Sequence, residues 1–409
     1  MRTIRELGPL AARRRASHCL LVADDASSCR FVSRAVDAVR DSLHASGVNV
    51  TLFQATATVA TGARPCPAAV GAAAGAAHAC GANAIVGVGR GGTLDLSKAS
   101  ASMAAAGDQS ALLQRTPVGF SSSSSSLRSA PLLPTFLVPT TATVASNSSR
   151  VLLKDDYAGG SFVPMDAPAH SAPEWNPRPL GQEVVVDISL AAEQSDAAIA
   201  AAGAHSLSTC IDTAIATAGT AGTPLPRLWQ LVWWDMTVGI SSSAAAMRDP
   251  QNNRQKAHRA ALCAGSLAST MDENPRATVP MVHMLACIAA GSWSNISFPA
   301  VVAALLPPVI RACSTHSTAA EFRALGAVSE AVVRRKGASP NDLAAWVEAH
   351  CAEVAKPRLA EWQDHLCAAA VLAMKAAESP LFRQPMVPPW LQDEAVLTRI
   401  FAEALATSE

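Results

Sequence analysis

A glycine-rich stretch at residues 87–92 (GVGRGG) constrains the fold more than any other feature of the chain. It follows an apolar run at 84–88 (AIVGV), typical of a buried strand, and precedes a helical pattern that begins near Leu94. Two similar apolar runs, at 18–22 and 48–53, come earlier, and helical stretches separate the three. Strands that alternate with helices predict a parallel sheet covered by helices.

After about residue 190 the strand-like runs vanish and alanine-rich helical patterns replace them. We therefore predict an α/β, Rossmann-like domain over residues 1–188 and an all-helical domain over 189–409. Two domains also suit the chain's 409 residues, at roughly 100 to 200 residues per domain. Six consecutive serines at 121–126 are interpreted as a surface loop. Three tryptophans are predicted to pack in the helical core, although an exposed face there would mark an interface: Trp229, Trp233 and Trp234.

Charge and composition exclude several classes of partner. The chain has 32 basic and 32 acidic residues, so no net field favours nucleic acid. No uncharged run approaches the ~18 apolar residues that cross a bilayer, and we expect no membrane partner. Ten scattered cysteines without a CxxC pair indicate reduced thiols of an intracellular protein, cytoplasmic or mitochondrial. The arginine-rich start, MRTIRELGPLAARRR, fits a first helix or an organellar presequence.

The glycine stretch has a chemical use. Glycines between a strand and a helix let the backbone approach a pyrophosphate, while the N–H groups that begin the helix point at its charge. A tight turn that merely needs positive φ gives the same pattern. This segment alone leaves both interpretations open.

Longer segments resemble the iron-containing (group III) alcohol dehydrogenases. The segment 82–101 (ANAIVGVGRGGTLDLSKASA) is similar to that family's glycine signature, with Asp95 and Lys98 at signature positions. The segments 138–149 (VPTTATVASNSS), 181–190 (GQEVVVDISL) and 201–215 (AAGAHSLSTCIDTAI) resemble later motifs in the same order. The resemblance implies the dehydroquinate synthase-like fold of these enzymes, with a catalytic cleft between an α/β and a helical domain.

The resemblance also assigns nucleotide-binding roles. It implies NAD as cofactor, with NADP possible. Asp24 matches the acid that holds the adenosine ribose, and its carboxylate favours NAD because it repels a 2′-phosphate. Arg90 replaces a glycine of the turn, where it either caps a phosphate or obstructs the turn. The remaining expected cofactor-binding residues are Gly89, Gly91, Gly92, Thr140 and Thr141.

The family's metal site is largely substituted. Its members hold one divalent ion, iron or zinc, with an aspartate and three histidines. This chain has other residues at those positions and at that of a catalytic histidine: His205, Thr209, Met284, Ile288 and Phe298. We predict that no metal binds, although His205 and His283 could form half a site with Asp212 or water.

Two functions follow from the resemblance. The first is an NAD(P)-dependent oxidoreductase that interconverts an alcohol and an aldehyde or ketone, with metal-dependent activity in doubt. The second is a catalytically inactive paralogue kept as a nucleotide-binding or structural subunit. A metal-free reductase similar to maleylacetate reductases ranks third. The expected partners are the nucleotide, a small alcohol or carbonyl compound, and a second copy in a homodimer.

Overall fold

The computed structural model describes residues 3–24, 30–55, 65–106, 133–144, 150–154, 162–166, 182–187, 189–190, 194–218, 226–272, 281–292, 297–359, 365–379, 382 and 387–406. The serine run at 121–126 lies outside these ranges. The chain divides into two compact units, Met1–Gln194 and Ser195–Glu409. The boundary predicted from the sequence, 188/189, lies a few residues earlier.

The N-terminal unit contains a five-stranded parallel sheet, whose strands lie in the order Asn49–Gln54, His18–Ala23, Ala84–Gly89, Thr135–Pro139 and Gln182–Val184. A short 3₁₀ turn, Thr3–Glu6, precedes the first helix. The strands are β1 His18–Ala23, β2 Asn49–Gln54, β3 Ala84–Gly89, β4 Thr135–Pro139, β5 Arg150–Lys154, β6 Phe162–Asp166 and β7 Gln182–Val184. The helices are α1 Leu7–Arg13, α2 Arg30–Ala45, α3 Pro67–Ala79 and α4 Gly91–Ala106.

Both faces of the central strands are buried, as the continuous apolar runs indicate. In β1, Cys19 and Leu21 belong to the core on the side of α1 and α2. The alternate residues Leu20 and Val22 belong to the core on the side of α3 and α4. The predicted parallel sheet covered by helices is confirmed.

One element of this unit was not predicted. β5 and β6 pair antiparallel as a separate two-stranded sheet. Each strand has five residues, and β6 carries Pro164, which cannot donate to a strand ladder. Such short segments give too weak a periodic signal to be identified before the pairing is known.

In its described residues the second unit contains helices and no strands. The helices are α5 Asp196–Ala218, α6 Pro226–Arg248, α7 Arg254–Asp272, α8 Met281–Ser292, α9 Phe298–His316, α10 Ala319–Val333, α11 Pro340–Leu359, α12 His365–Glu378 and α13 Glu394–Ala406, with a 3₁₀ turn at Pro389–Gln392. The sequence analysis had not predicted α13. The predicted all-helical region is confirmed.

Helix α9 lies inside this unit, where it packs against α5, α8, α11 and α13. Of the helices in the described ranges, it is the one long and apolar enough to cross a membrane. Its most apolar window is 72% buried within the protein, as in the core helix of a folded domain.

The prediction that Trp234 packs in the core is wrong. Its side chain on α6 is 65% exposed. Residues four apart share a helix face, whereas a residue one position further is turned by about 100°. Trp229 and Trp233 therefore share a face that Trp234 does not, and the side chains of those two lie outside the described part of the structure.

The eight cysteines whose side chains the structure describes are free thiols. Burial raises the pKa of Cys19 to about 12. Burial also raises the pKa of Cys263 to about 11, with the charge of Asp235 as a further cause. Thiols with such high pKa values remain protonated and react slowly at neutral pH.

Candidate functional site

The glycine turn lies where the strand order of the sheet reverses. From β1 the chain passes to β2 on one side, and from β3 it passes to β4 on the other. In open α/β sheets, ligands bind outside the carboxyl ends of the strands at this reversal. Asp24 follows β1 and Arg90 follows β3, so the two residues meet there. This places the predicted nucleotide-binding residues at the expected edge of the sheet.

The carboxylate of Asp24 is bonded to the glycine turn. Its Oδ2 accepts hydrogen bonds from the backbone N–H of Arg90 at 3.2 Å and from Arg90 Nε at 3.3 Å. Its Oδ1 accepts a short hydrogen bond from the hydroxyl of Thr93 in the first turn of α4. Asp24 is fully buried, and this burial raises its pKa even though the bonds from Thr93 and Arg90 act in the opposite direction. The buried carboxylate of Asp24 thus stabilises the glycine turn through its hydrogen bonds with Arg90 and Thr93.

Gly89 is required by this close approach. A Cβ at Gly89 would lie 2.6 Å from Asp24 Oδ1 and 3.0 Å from the Cβ of Thr93. Any side chain would therefore push the carboxylate away from the turn. Gly91 and Gly92 begin α4, whose first N–H groups have no partner within the helix. The turn accordingly keeps backbone donors for an anion.

Thr140 lies against the same turn. Its backbone N–H donates to the carbonyl oxygen of Gly89 at 3.0 Å, and its own carbonyl accepts from Gln194 Nε2 at 3.3 Å. Its side-chain hydroxyl is buried and has no hydrogen-bond partner among the described residues. A buried hydroxyl of this kind is costly unless a ligand or water completes it. Thr141, the next residue, is half-buried.

Asp95 and Lys98 form a buried ion pair on α4. Lys98 Nζ lies 2.9 Å from Asp95 Oδ1, and both side chains are almost completely buried. The two residues are three positions apart, which places them on one helix face. Their charges compensate each other inside the unit.

The helical unit brings together two histidines from distant parts of the chain. His205 on α5 and His283 on α8 are joined by a hydrogen bond of 2.7 Å between their Nε2 atoms. The ring of Phe298, at the start of α9, lies 5.5 Å from the His205 ring and 5.9 Å from the His283 ring. One imidazole must donate and the other accept for this bond to form.

The other residues at the family's metal positions supply no comparable donors. Met284 and Ile288 are buried apolar residues of α8. The hydroxyl of Thr209 donates back to the carbonyl oxygen of His205 at 3.4 Å. In the parts of the chain that the structure describes, no group of three or more histidine, cysteine or acidic side chains is placed to hold a metal. Two imidazole nitrogens beside an aromatic ring do not fit an ion that needs four ligands.

Most of the expected nucleotide residues therefore lie together: Asp24, Gly89, Gly91, Gly92 and Thr140. Two residues of the site were not predicted from the sequence. Thr93 donates a hydrogen bond to Asp24, and Gln194 donates one to the carbonyl oxygen of Thr140. For Thr93 the sequence gives no signal, since its partner Asp24 lies 69 residues away. For Gln194 the sequence gives no signal, since it lies 54 residues from its partner.

Comparisons with known proteins agree with this geometry. Residues 2–166 match the family model described as iron-containing alcohol dehydrogenase. Over these residues the chain is similar to the iron-containing alcohol dehydrogenases. This match covers strands β1 to β6 and the glycine turn. No curated protein gives a significant match to this chain.

Solved structures share the fold over nearly the whole length. An iron-containing alcohol dehydrogenase from Thermococcus thioreducens superposes with a TM-score of 0.72 at 16% identity, covering 99% of this chain and 96% of that one. NADH-dependent butanol dehydrogenase A from Thermotoga maritima gives 0.72 at 13%, covering 98% and 94%. Maleylacetate reductase from Agrobacterium tumefaciens gives 0.64 at 15%, covering 99% and 94%. At such identities these likenesses establish the fold of this chain.

Proposed function

We propose that this protein is an oxidoreductase that binds NAD(H) or NADP(H) on its glycine turn. The observation that carries the proposal is the turn at the reversal of the strand order, where Gly89 has no room for a side chain. The buried hydroxyl of Thr140 beside that turn has no hydrogen-bond partner in the described parts of the chain and fits a nucleotide. A bound nicotinamide would supply the hydride chemistry of an alcohol–carbonyl interconversion.

Each residue of the turn has a distinct task in this proposal. The N–H groups of Gly91 and Gly92 at the start of α4 receive the pyrophosphate, aided by the positive end of the helix dipole. Thr140 and Thr141, after β4, line the cofactor. Asp24 keeps the turn in shape, because its carboxylate already accepts hydrogen bonds from Arg90 and Thr93.

We propose further that no catalytic metal binds and that metal-dependent activity is weak or lost. The support is the hydrogen bond between His205 and His283, with Phe298 against both rings. An ion held there would find two nitrogen ligands and an apolar ring, and its lost hydration would remain uncompensated. The site residues thus do not fit the group that the family uses.

The same observation favours a second candidate, a catalytically inactive paralogue that retains nucleotide binding or a structural role. The two candidates differ on catalysis, and the second also allows a purely structural role. An apolar replacement of the metal site beside an intact fold is what the inactive paralogue predicts.

Metal analysis and a hydride-transfer assay separate the candidates. We would measure the metal content of purified protein by mass spectrometry and follow NADH and NADPH oxidation with a panel of aldehydes and ketones. Turnover without bound metal supports the oxidoreductase, whereas nucleotide binding without turnover supports the inactive paralogue. Stoichiometric iron or zinc would contradict the proposed absence of metal. Failure to bind either nucleotide would contradict the proposal as a whole.

A further inference from the structure

Arg90 and Asp24 carry opposite charges at the nucleotide edge, and they differ in exposure. The carboxylate of Asp24 is fully buried, whereas the side chain of Arg90 is 34% exposed. Both carboxylate oxygens are engaged, Oδ2 by Arg90 and Oδ1 by Thr93. A ligand that reaches the turn therefore meets the cation and not the acid.

Asp24 is thereby removed from the role that the sequence assigned to it. An acid selects NAD because it accepts hydrogen bonds from ribose hydroxyls and repels a 2′-phosphate. Here the charge of the acid is compensated by a guanidinium at 3.3 Å, and the turn encloses its oxygens. The repulsion of a 2′-phosphate is correspondingly weakened.

The guanidinium of Arg90 is placed to bind a phosphate in addition to the carboxylate of Asp24. Its Nε donates to Asp24, and its Nη groups make no hydrogen bond among the described residues. A guanidinium fixed at one nitrogen loses less conformational freedom when its remaining donors bind a phosphate. The nearby Asp95 does not oppose this charge, because it is buried with Lys98.

We propose that Arg90 is the residue that determines coenzyme selectivity and that the turn accepts the 2′-phosphorylated dinucleotide, NADP(H), at least as well as NAD(H). The inference rests on the proposed function, since it concerns the same nucleotide edge. The hydroxyl of Thr140 beside Gly89 is buried and makes no hydrogen bond to the residues that the structure describes, which is the independent sign that a ligand belongs at this turn.

Titration calorimetry of the full chain tests the inference. NADPH and NADH are titrated into the wild type, Arg90→Gln and Arg40→Gln; Arg40 is an exposed arginine of α2 in the same unit. The wild type should bind NADPH as tightly as NADH or more tightly. Arg90→Gln should weaken NADPH binding about tenfold, as expected for a lost charge-assisted hydrogen bond, and should change NADH binding by less than about threefold. Arg40→Gln should leave both affinities unchanged.

Three results would contradict the inference about Arg90, and the measurements distinguish them. A wild type that prefers NADH by more than about tenfold overturns the inference without any variant, and leaves the proposed function intact. An equal loss of both nucleotides in Arg90→Gln, with an unchanged thermal melting curve, also overturns it, because Arg90 would then serve the shared pyrophosphate. If neither nucleotide binds the wild type, the proposed function fails and this inference fails with it.

Discussion

His258 on α7 shows how a single buried side chain makes the stability of this protein depend on pH. The ring is 4% exposed, and its Nε2 has no hydrogen-bond partner among the described residues. Burial lowers its pKa from 6.5 to about 4. The unfolded chain therefore takes up a proton between these values that the folded chain does not, and stability falls as the pH drops through that window. We expect a loss of roughly 3 kcal/mol in the free energy of unfolding.

Urea denaturation between pH 7 and pH 4 measures this loss. In His258→Gln the part of the pH dependence that His258 contributes should disappear. The matched control is His44→Gln, at an exposed position of α2, which should retain the wild-type profile. An unchanged profile in His258→Gln would show that another group takes up the proton.

Lys98 is the second residue whose removal should be costly. Its Nζ lies 2.9 Å from Asp95 Oδ1, and both residues are buried. Lys98→Ala leaves a buried carboxylate without this partner, so we expect a loss of about 3–5 kcal/mol. The exposed Lys336→Ala serves as the control and should change stability by less than about 0.5 kcal/mol. A Lys98→Ala protein as stable as the control would mean that Asp95 is accommodated by other groups.

At the scale of elements, the packing of α1 on α2 depends on Gly8. Its backbone N–H donates to Ser42 Oγ at 3.0 Å, and a Cβ there would lie 2.6 Å from the carbonyl carbon of Ser42. Gly8→Ala must push the helices apart, and we expect a loss of about 1–3 kcal/mol.

Gly75 on α3 is the matched case in open space. An added Cβ meets nothing within 4 Å, so Gly75→Ala should stabilise the helix by about 0.5–1 kcal/mol. Chemical denaturation of the two variants in parallel gives both values. The packing argument is contradicted if the two substitutions have effects of the same sign.

The melting temperature of the whole protein should rise with a nucleotide but not with a metal ion. Saturating NADPH or NADH should raise the melting temperature, because a ligand that binds only the folded state stabilises it. Millimolar Fe(II) or Zn(II) should leave it unchanged, since His205 and His283 bond to each other and Phe298 lies beside them. Thermal melting with each ligand tests both expectations.

His205→Ala is the decisive variant for the metal, with His316→Ala as the control at an exposed position of α9. A large metal-induced rise in melting temperature that His205→Ala abolishes and His316→Ala retains would restore a metal-dependent dehydrogenase. A rise that persists in both variants would come from surface binding elsewhere.

Strands, helices and tight turns depend mainly on residues close together in the chain, and these features could be predicted from the amino-acid sequence. Apolar runs such as 18–22 and 84–88 predicted strands, and the glycine stretch that follows the second run indicated a tight turn between a strand and a helix. The order of strands and helices, the change to an all-helical region and most helix positions followed from these patterns. The substitution of the metal positions was inferred from the resemblance to the family and stays a prediction.

Side-chain contacts between residues far apart in the sequence became known only from the three-dimensional structure. The bond between Asp24 and Arg90 joins positions 66 residues apart, and the pair His205–His283 joins positions 78 apart. Sequence analysis left open whether Arg90 caps a phosphate or obstructs the turn, and it placed Trp234 in a core from which the helix turns it away. Such contacts arise only when β1 and β3, or α5 and α8, are packed side by side. Local periodicity shows which face of an element is apolar, but the charge that a ligand meets depends on which side chains the packing buries together.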